Sequence, residues 1–193
     1  MKDCSTCLCV KSWEDEEVDN KIVNRIMDSD KWPNLQLPEN LQLLNELADE
    51  SFSSQTLSGM LASVLMYHQI IEAMCQHLLE NCHFQIQLSV YPAMIDLSIK
   101  ENKMLGRYVQ ELKNSITFHK KDDFIKKVTE FNDIRNDLIH KMRKNNPKTI
   151  IEKAKDIKQI FDEVFELYDE IQDDFRVVFH SFKKDIFIDE DEE

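Results

Sequence analysis

From Pro147 onward the chain places an apolar residue every third or fourth position: Ile150, Ala154, Ile157, Phe161, Val164, Tyr168, Ile171, Phe175, Val178 and Phe182. Four heptads of this kind specify one long, straight helix lying against partners. At 1.5 Å per residue it extends on the order of 50 Å. Its start is marked as well, because Asn146 is a good cap and Pro147 suits a first helical position. A rod with a continuous apolar seam needs other helices to cover it. Ile160, Phe165, Leu167 and Phe179 fall off the seam and make a second apolar surface. A monomeric four-helix bundle has no use for that much, so the pattern predicts a dimer interface there.

The rest of the sequence agrees with a bundle. Only Gly59 and Gly106 are glycine, which excludes a glycine-rich phosphate cradle. The prolines lie at 33, 38, 92 and 147, and the stretches between them are rich in Leu, Ile, Met, Glu and Lys. The fold class predicted is all-α, a bundle of four to five helices over residues 39–184. An acidic, mostly irregular arm (1–38) precedes it and an acidic tail (185–193) follows. Within the bundle, a short helix covers Leu41–Glu50. A long one, capped by Thr56 or Ser58, reaches about Cys82. A third region runs from Tyr91-Pro92 to about Ile116, with a break near Glu101-Asn102, and Gly106 within it marks a close helix contact or a bend. A fourth helix runs from Asp122 or Asp123 to about Lys144, after a connection, Phe118 to Lys121, on which His119 is solvated.

The net charge of −13 argues against a general nucleic-acid binder. Its distribution argues otherwise. Residues 119–158 hold 12 Lys and Arg against 7 Asp and Glu, and the rest of the chain holds 12 against 30. No stretch approaches the roughly 20 consecutive apolar residues of a membrane span. The N-terminus lacks a signal-peptide pattern. Five cysteines, an odd number, fit reduced thiols rather than a disulfide framework. A cytoplasmic protein without membrane contact is expected. Cys4, Cys7 and Cys9 lack a fourth nearby ligand, and Cys75, His77, Cys82 and His83 diverge around their helix, so no metal site and no cofactor is expected.

One segment spends polar chemistry where packing would prefer a leucine. The fourth helix has an apolar stripe of Phe124, Val128, Phe131, Leu138 and Met142, and Arg135 occupies the stripe between Phe131 and Leu138. A guanidinium there is costly unless it finds an acceptor or lines a wet cleft. Asn132, Asn136 and His140 follow at four-residue intervals on a second, polar face. Lys141, Arg143 and Lys144 come directly after, and Lys120 and Lys121 stand at the other end of the helix. On the long helix before it, His68 lies on the apolar face with Glu72 one turn on. The pair reads either as a satisfied core histidine or as support for a cleft beside Arg135.

Arg135-Asn136-Asp137-Leu138-Ile139-His140 resembles the signature of the HEPN family: Arg, a polar residue, three more residues, then His, near the end of a bundle helix. The likeness covers roughly residues 55–182. It implies a homodimer in which two motifs meet across a two-fold axis, since residues five apart on one helix diverge by about 140°. It also implies a metal-independent endoribonuclease, a toxin or host-defence effector with RNA as substrate and an antitoxin or defence protein as partner. His140 would serve as general acid or base, Arg135 would hold the developing phosphorane charge, and Asn136 would orient the phosphate or the imidazole. Lys141, Arg143, Lys144, Lys120 and Lys121 would contact the RNA backbone. A toxin branch of the family carries Tyr two residues after the His and has it adenylylated. Here that residue is Met142, so this route of regulation does not carry over.

Two alternatives stand beside this reading. Arg135 can bridge Asp133, Asp137 or another carboxylate while His140 caps carbonyls at the helix end. The whole chain can also be a non-catalytic helical binding protein that works through protein contacts.

Overall fold

The computed structural model describes residues 24–91, 93, 95 and 104–186, and among them every regular element is helical. Five α-helices follow in order: α1 (Glu39–Ser53), α2 (Leu57–Val90), α3 (Leu105–Asn114), α4 (Lys121–Lys141) and α5 (Pro147–Ile186). A helical turn at 24–27 and a 3₁₀ turn at Ser29–Lys31 precede them. No helix among the described residues is long and apolar enough to cross a membrane.

α2 is the central post, packed against the other four helices. Thr56 caps it, its hydroxyl accepting from the Gly59 amide at 3.0 Å. It runs eight residues past the predicted end at Cys82 because its apolar stripe continues through Phe84 and Leu88, both buried. α1 folds back on α2 through a three-residue turn. There a side chain on Gly59 would collide with the Ser51 carbonyl and the Ser54 hydroxyl. Gly106, by contrast, has no atom of the described residues within 4 Å of where a Cβ would sit, so of the close contact or bend expected there, no close contact is seen among them.

α3 runs alongside α2 in the same direction: Glu72 meets Leu105, Gln76 meets Tyr108, and Cys82 meets Ser115. α4 returns antiparallel, and α5 descends again over both. The Asn146 side chain caps α5 by accepting from the Thr149 amide at 2.9 Å. At 40 residues, α5 is about 60 Å long, nearly two turns more than the length predicted. It is tied to α2 by a polar ladder inside the core. His77 Nδ1 and Tyr168 Oη are 2.5 Å apart, and Asn81 Nδ2 donates to Gln172 Oε1 at 3.0 Å.

Two predictions need correction. Ile160 and Phe179 are buried, and Phe165 and Leu167 are half-buried against the core. The second apolar surface of α5 is thus largely taken up within one chain, with Phe165 and Leu167 left partly exposed. The arm is also not separate as far as residue 38. Ile26 is fully buried, and Trp32 packs edge-on against Phe84 and Phe179, with ring centroids 5.3 and 6.1 Å away. Residues 1–23 and 187–193, with the first three cysteines and most of both acidic segments, lie outside the described residues.

Candidate functional site

α4 buries Phe124, Val128, Phe131 and Leu138 in the core, and Arg135 takes its predicted place on that inward stripe. It is half-buried. Its Nη1 donates to the Asn136 side-chain oxygen at 2.9 Å, while its Nε is buried and has no hydrogen-bond partner among the described residues. A buried donor left unmade costs about 1–3 kcal/mol. The chain tolerates an incompletely bonded guanidinium where a leucine would pack.

α2 supplies the facing groups. His68 Nδ1 stands 3.7 Å from Glu72 Oε2, and the imidazole stacks on Phe131 with ring centroids 6.5 Å apart. The other Glu72 oxygen accepts from the Leu105 amide at 3.0 Å, at the start of α3. Burial, and then the nearby Arg135 charge, push His68 down to about 4, so it is neutral at physiological pH. Burial raises the Glu72 carboxyl, against the pull of the Leu105 amide and of Arg135. Two helices, α2 and α4, thus bring together one cluster, His68, Glu72, Arg135 and Asn136, with the first amide of α3 at its edge. The two readings of His68 are compatible: it is packed in the core and it borders the guanidinium.

His140 sits apart from this cluster. It lies exposed on the last turn of α4, and its imidazole makes no hydrogen bond or ion pair among the described residues. Within one chain, Arg135 faces α2 and His140 faces outward. Of the alternatives open to the motif, Arg135 acts on a neighbouring carboxylate, Glu72 of α2, through its charge rather than through a hydrogen bond. Arg135 is hydrogen-bonded to Asn136 rather than to Asp133 or Asp137, and Asp137 is taken by Lys141 and by Lys153 of α5. Those two ammonium groups, Lys141 first, hold the Asp137 carboxyl down to about 2. Lys141, Arg143 and Lys144 are exposed at the α4–α5 corner.

The other two candidate lysines are elsewhere, about 20 Å along α4 from Arg135. Lys121 is 7% exposed, and its ammonium donates to the carbonyls of Lys113 (3.2 Å), Ser115 (3.0 Å) and Ile116 (3.1 Å). All three donors are used at the end of α3, so none is left for a phosphate. Lys120 precedes α4 with a left-handed backbone, φ 58°, and pairs with Glu170 at 3.4 Å. A shallow cavity of about 420 Å³ opens there, lined by both lysines, Lys113, Asp122 and Asp123. Two of its three lysines are engaged and two aspartates line it, so it suits an anion poorly. His119, expected to be solvated, is exposed but stands 3.0 Å from Asp174.

Among the described residues no three His, Cys, Asp or Glu are grouped so as to hold a metal ion. Cys75 and Cys82 are buried thiols, and burial pushes both well above the usual thiol range, which makes them poor nucleophiles. No protein-family model, curated protein or solved structure matches the chain.

Proposed function

We propose that the chain is a HEPN-like endoribonuclease that cuts RNA without a metal cofactor, in the manner of a toxin or host-defence effector in the cytoplasm. The observation that carries this reading is Arg135, a half-buried guanidinium on a packing stripe with a donor unmade among the described residues, on the same helix as the exposed His140 and followed by a run of cations. In the reaction the ribose 2′-oxygen bonds to phosphorus as the bond to the 5′-oxygen breaks. One imidazole takes the 2′-hydroxyl proton and another donates a proton to the leaving oxygen. Arg135 stabilises the charge gathered on the phosphorane oxygens. The products are a 2′,3′-cyclic phosphate and a 5′-hydroxyl.

The divergence of Arg135 and His140 requires a second copy to complete the cleft. On this reading the docking face includes the outer side of α2. Leu57, Leu61 and Leu65 continue the His68–Glu72 stripe toward the helix start, and Leu57 and Leu65 remain 36% and 47% exposed. The same leucines, with exposed Leu43 and Leu47 on α1, also favour a second reading, a non-catalytic helical module that docks a protein partner such as an antitoxin or another defence component.

Incubating the purified chain with tRNA and single-stranded RNA in excess chelator tests the proposal. It requires fragments ending in a 2′,3′-cyclic phosphate. Intact RNA, or cleavage that stops when the chelator is added, sinks it and leaves the binding module.

A further inference from the structure

Two salt-bridge clasps join α4 to α5, and their charge balance is opposite. At Lys127 one ammonium meets two carboxylates, Glu130 of its own helix and Glu163 of α5. At Asp137 one carboxylate meets two ammonium groups, Lys141 of its own helix and Lys153 of α5. The first clasp is net negative and closed to anions. The second carries a surplus positive charge. Each ammonium there has three N–H donors and gives Asp137 one of them. Lys141 is 62% exposed and Lys153 24%. Asp137 and His140 are three residues apart on α4, so the clasp and the exposed imidazole share one side of the helix.

The geometry points to Lys153 and Lys141 as a two-ammonium subsite for a phosphodiester next to the one cut at His140, with Asp137 as the residue that positions them. Lys153 is a substrate-binding residue on a different helix from the motif. It comes within reach only because α5 packs antiparallel on the end of α4. A single carboxylate shared by two lysines fixes where the ammonium groups stand and leaves the surplus charge for the RNA backbone. Arg143 and Lys144, exposed in the turn that follows, extend the same positive edge.

This inference rests on the ribonuclease reading, and the two are separated by measuring binding rather than cleavage. A 2′-O-methyl oligoribonucleotide keeps the phosphates and lacks the nucleophile. Its affinity is titrated against salt for the wild-type chain, Lys153→Gln, Lys153→Arg and, as the control clasp, Lys127→Gln. Lys153→Gln should weaken binding several-fold and lower the slope of log affinity against log salt by about 0.7, one phosphate contact on a single strand. Lys153→Arg should keep the wild-type slope, and Lys127→Gln should change neither quantity. A Lys153→Gln chain with unchanged affinity and slope overturns the subsite while leaving the motif reading intact. So does weaker binding with an unchanged slope, accompanied by a lower melting temperature, because that is loss of a structural clasp. A wild-type chain that does not bind the oligonucleotide overturns both.

Discussion

His68 of α2 lies nearly flat against Phe131 of α4, the ring planes 20° apart, with the Arg135 guanidinium close enough to disfavour its protonation. An imidazole in that setting must lose its packing or gain an unwelcome charge when acid is added. Its ordinary value of 6.5 falls to about 4 in the folded chain, burial being the larger cause and Arg135 the smaller. The unfolded chain therefore binds the proton first. His68 contributes stability that is full above about pH 6.5 and drains away as pH falls toward 4. Glu72, raised by burial, works with the opposite sign in the acid range. Chemical denaturation of wild type and His68→Gln between pH 7 and 4 isolates the histidine. The variant should lose less stability across that window, and parallel curves would show that His68 is not held neutral by this cluster.

Lys121 is predicted to be structural. Lys121→Met keeps the hydrocarbon length but removes the donor from three carbonyls at the end of α3. A cost of about 1–3 kcal/mol is expected, read as a lower urea midpoint with an unchanged slope. RNA binding by the folded variant should match wild type at equal salt.

The Asn81–Gln172 rung makes a sharper prediction. Both side chains are buried, and among the described residues Asn81 Oδ1 has no hydrogen-bond partner. Gln172→Met alone should destabilise by about 1–3 kcal/mol by stranding Asn81 completely. Adding Asn81→Leu should recover most of that loss, since two apolar groups of similar size leave nothing unpaired. A double variant with the summed cost of both single changes would show that the rung stabilises the α2–α5 contact.

Gly59→Ala should also destabilise, by about 1–3 kcal/mol, because the added methyl meets the α1 backbone at the hairpin. Thermal unfolding of the variant beside Gly106→Ala, where the space is open, provides the comparison.

The elements that local chemistry decides were legible in the sequence. Asn146-Pro147 starts α5 and Thr56 starts α2 because a cap needs only its own few residues. Arg135 could be recognised as an intruder on an apolar stripe from spacing alone. Tertiary packing decided what was misread. Phe179 of α5 looked spare because the sequence does not show that Phe84 of α2 and Trp32 would cover it. Lys121 looked like a surface cation because nothing local reveals three carbonyls folding back over its ammonium. Lys153 went unnoticed because its meeting with Asp137 depends on the antiparallel register of α4 and α5.

The central claim is that Arg135 and His140 are the working groups of a ribonuclease. Its most direct test is the rate of RNA cleavage by wild type, His140→Ala and Arg135→Ala in chelator, each shown to be folded by its melting curve. Measurable cleavage by wild type is expected, with a loss on the order of 10²–10⁴-fold on removing the imidazole, as for a general acid–base group. Arg135→Ala should fall comparably. Variants that cut RNA as fast as wild type would contradict it.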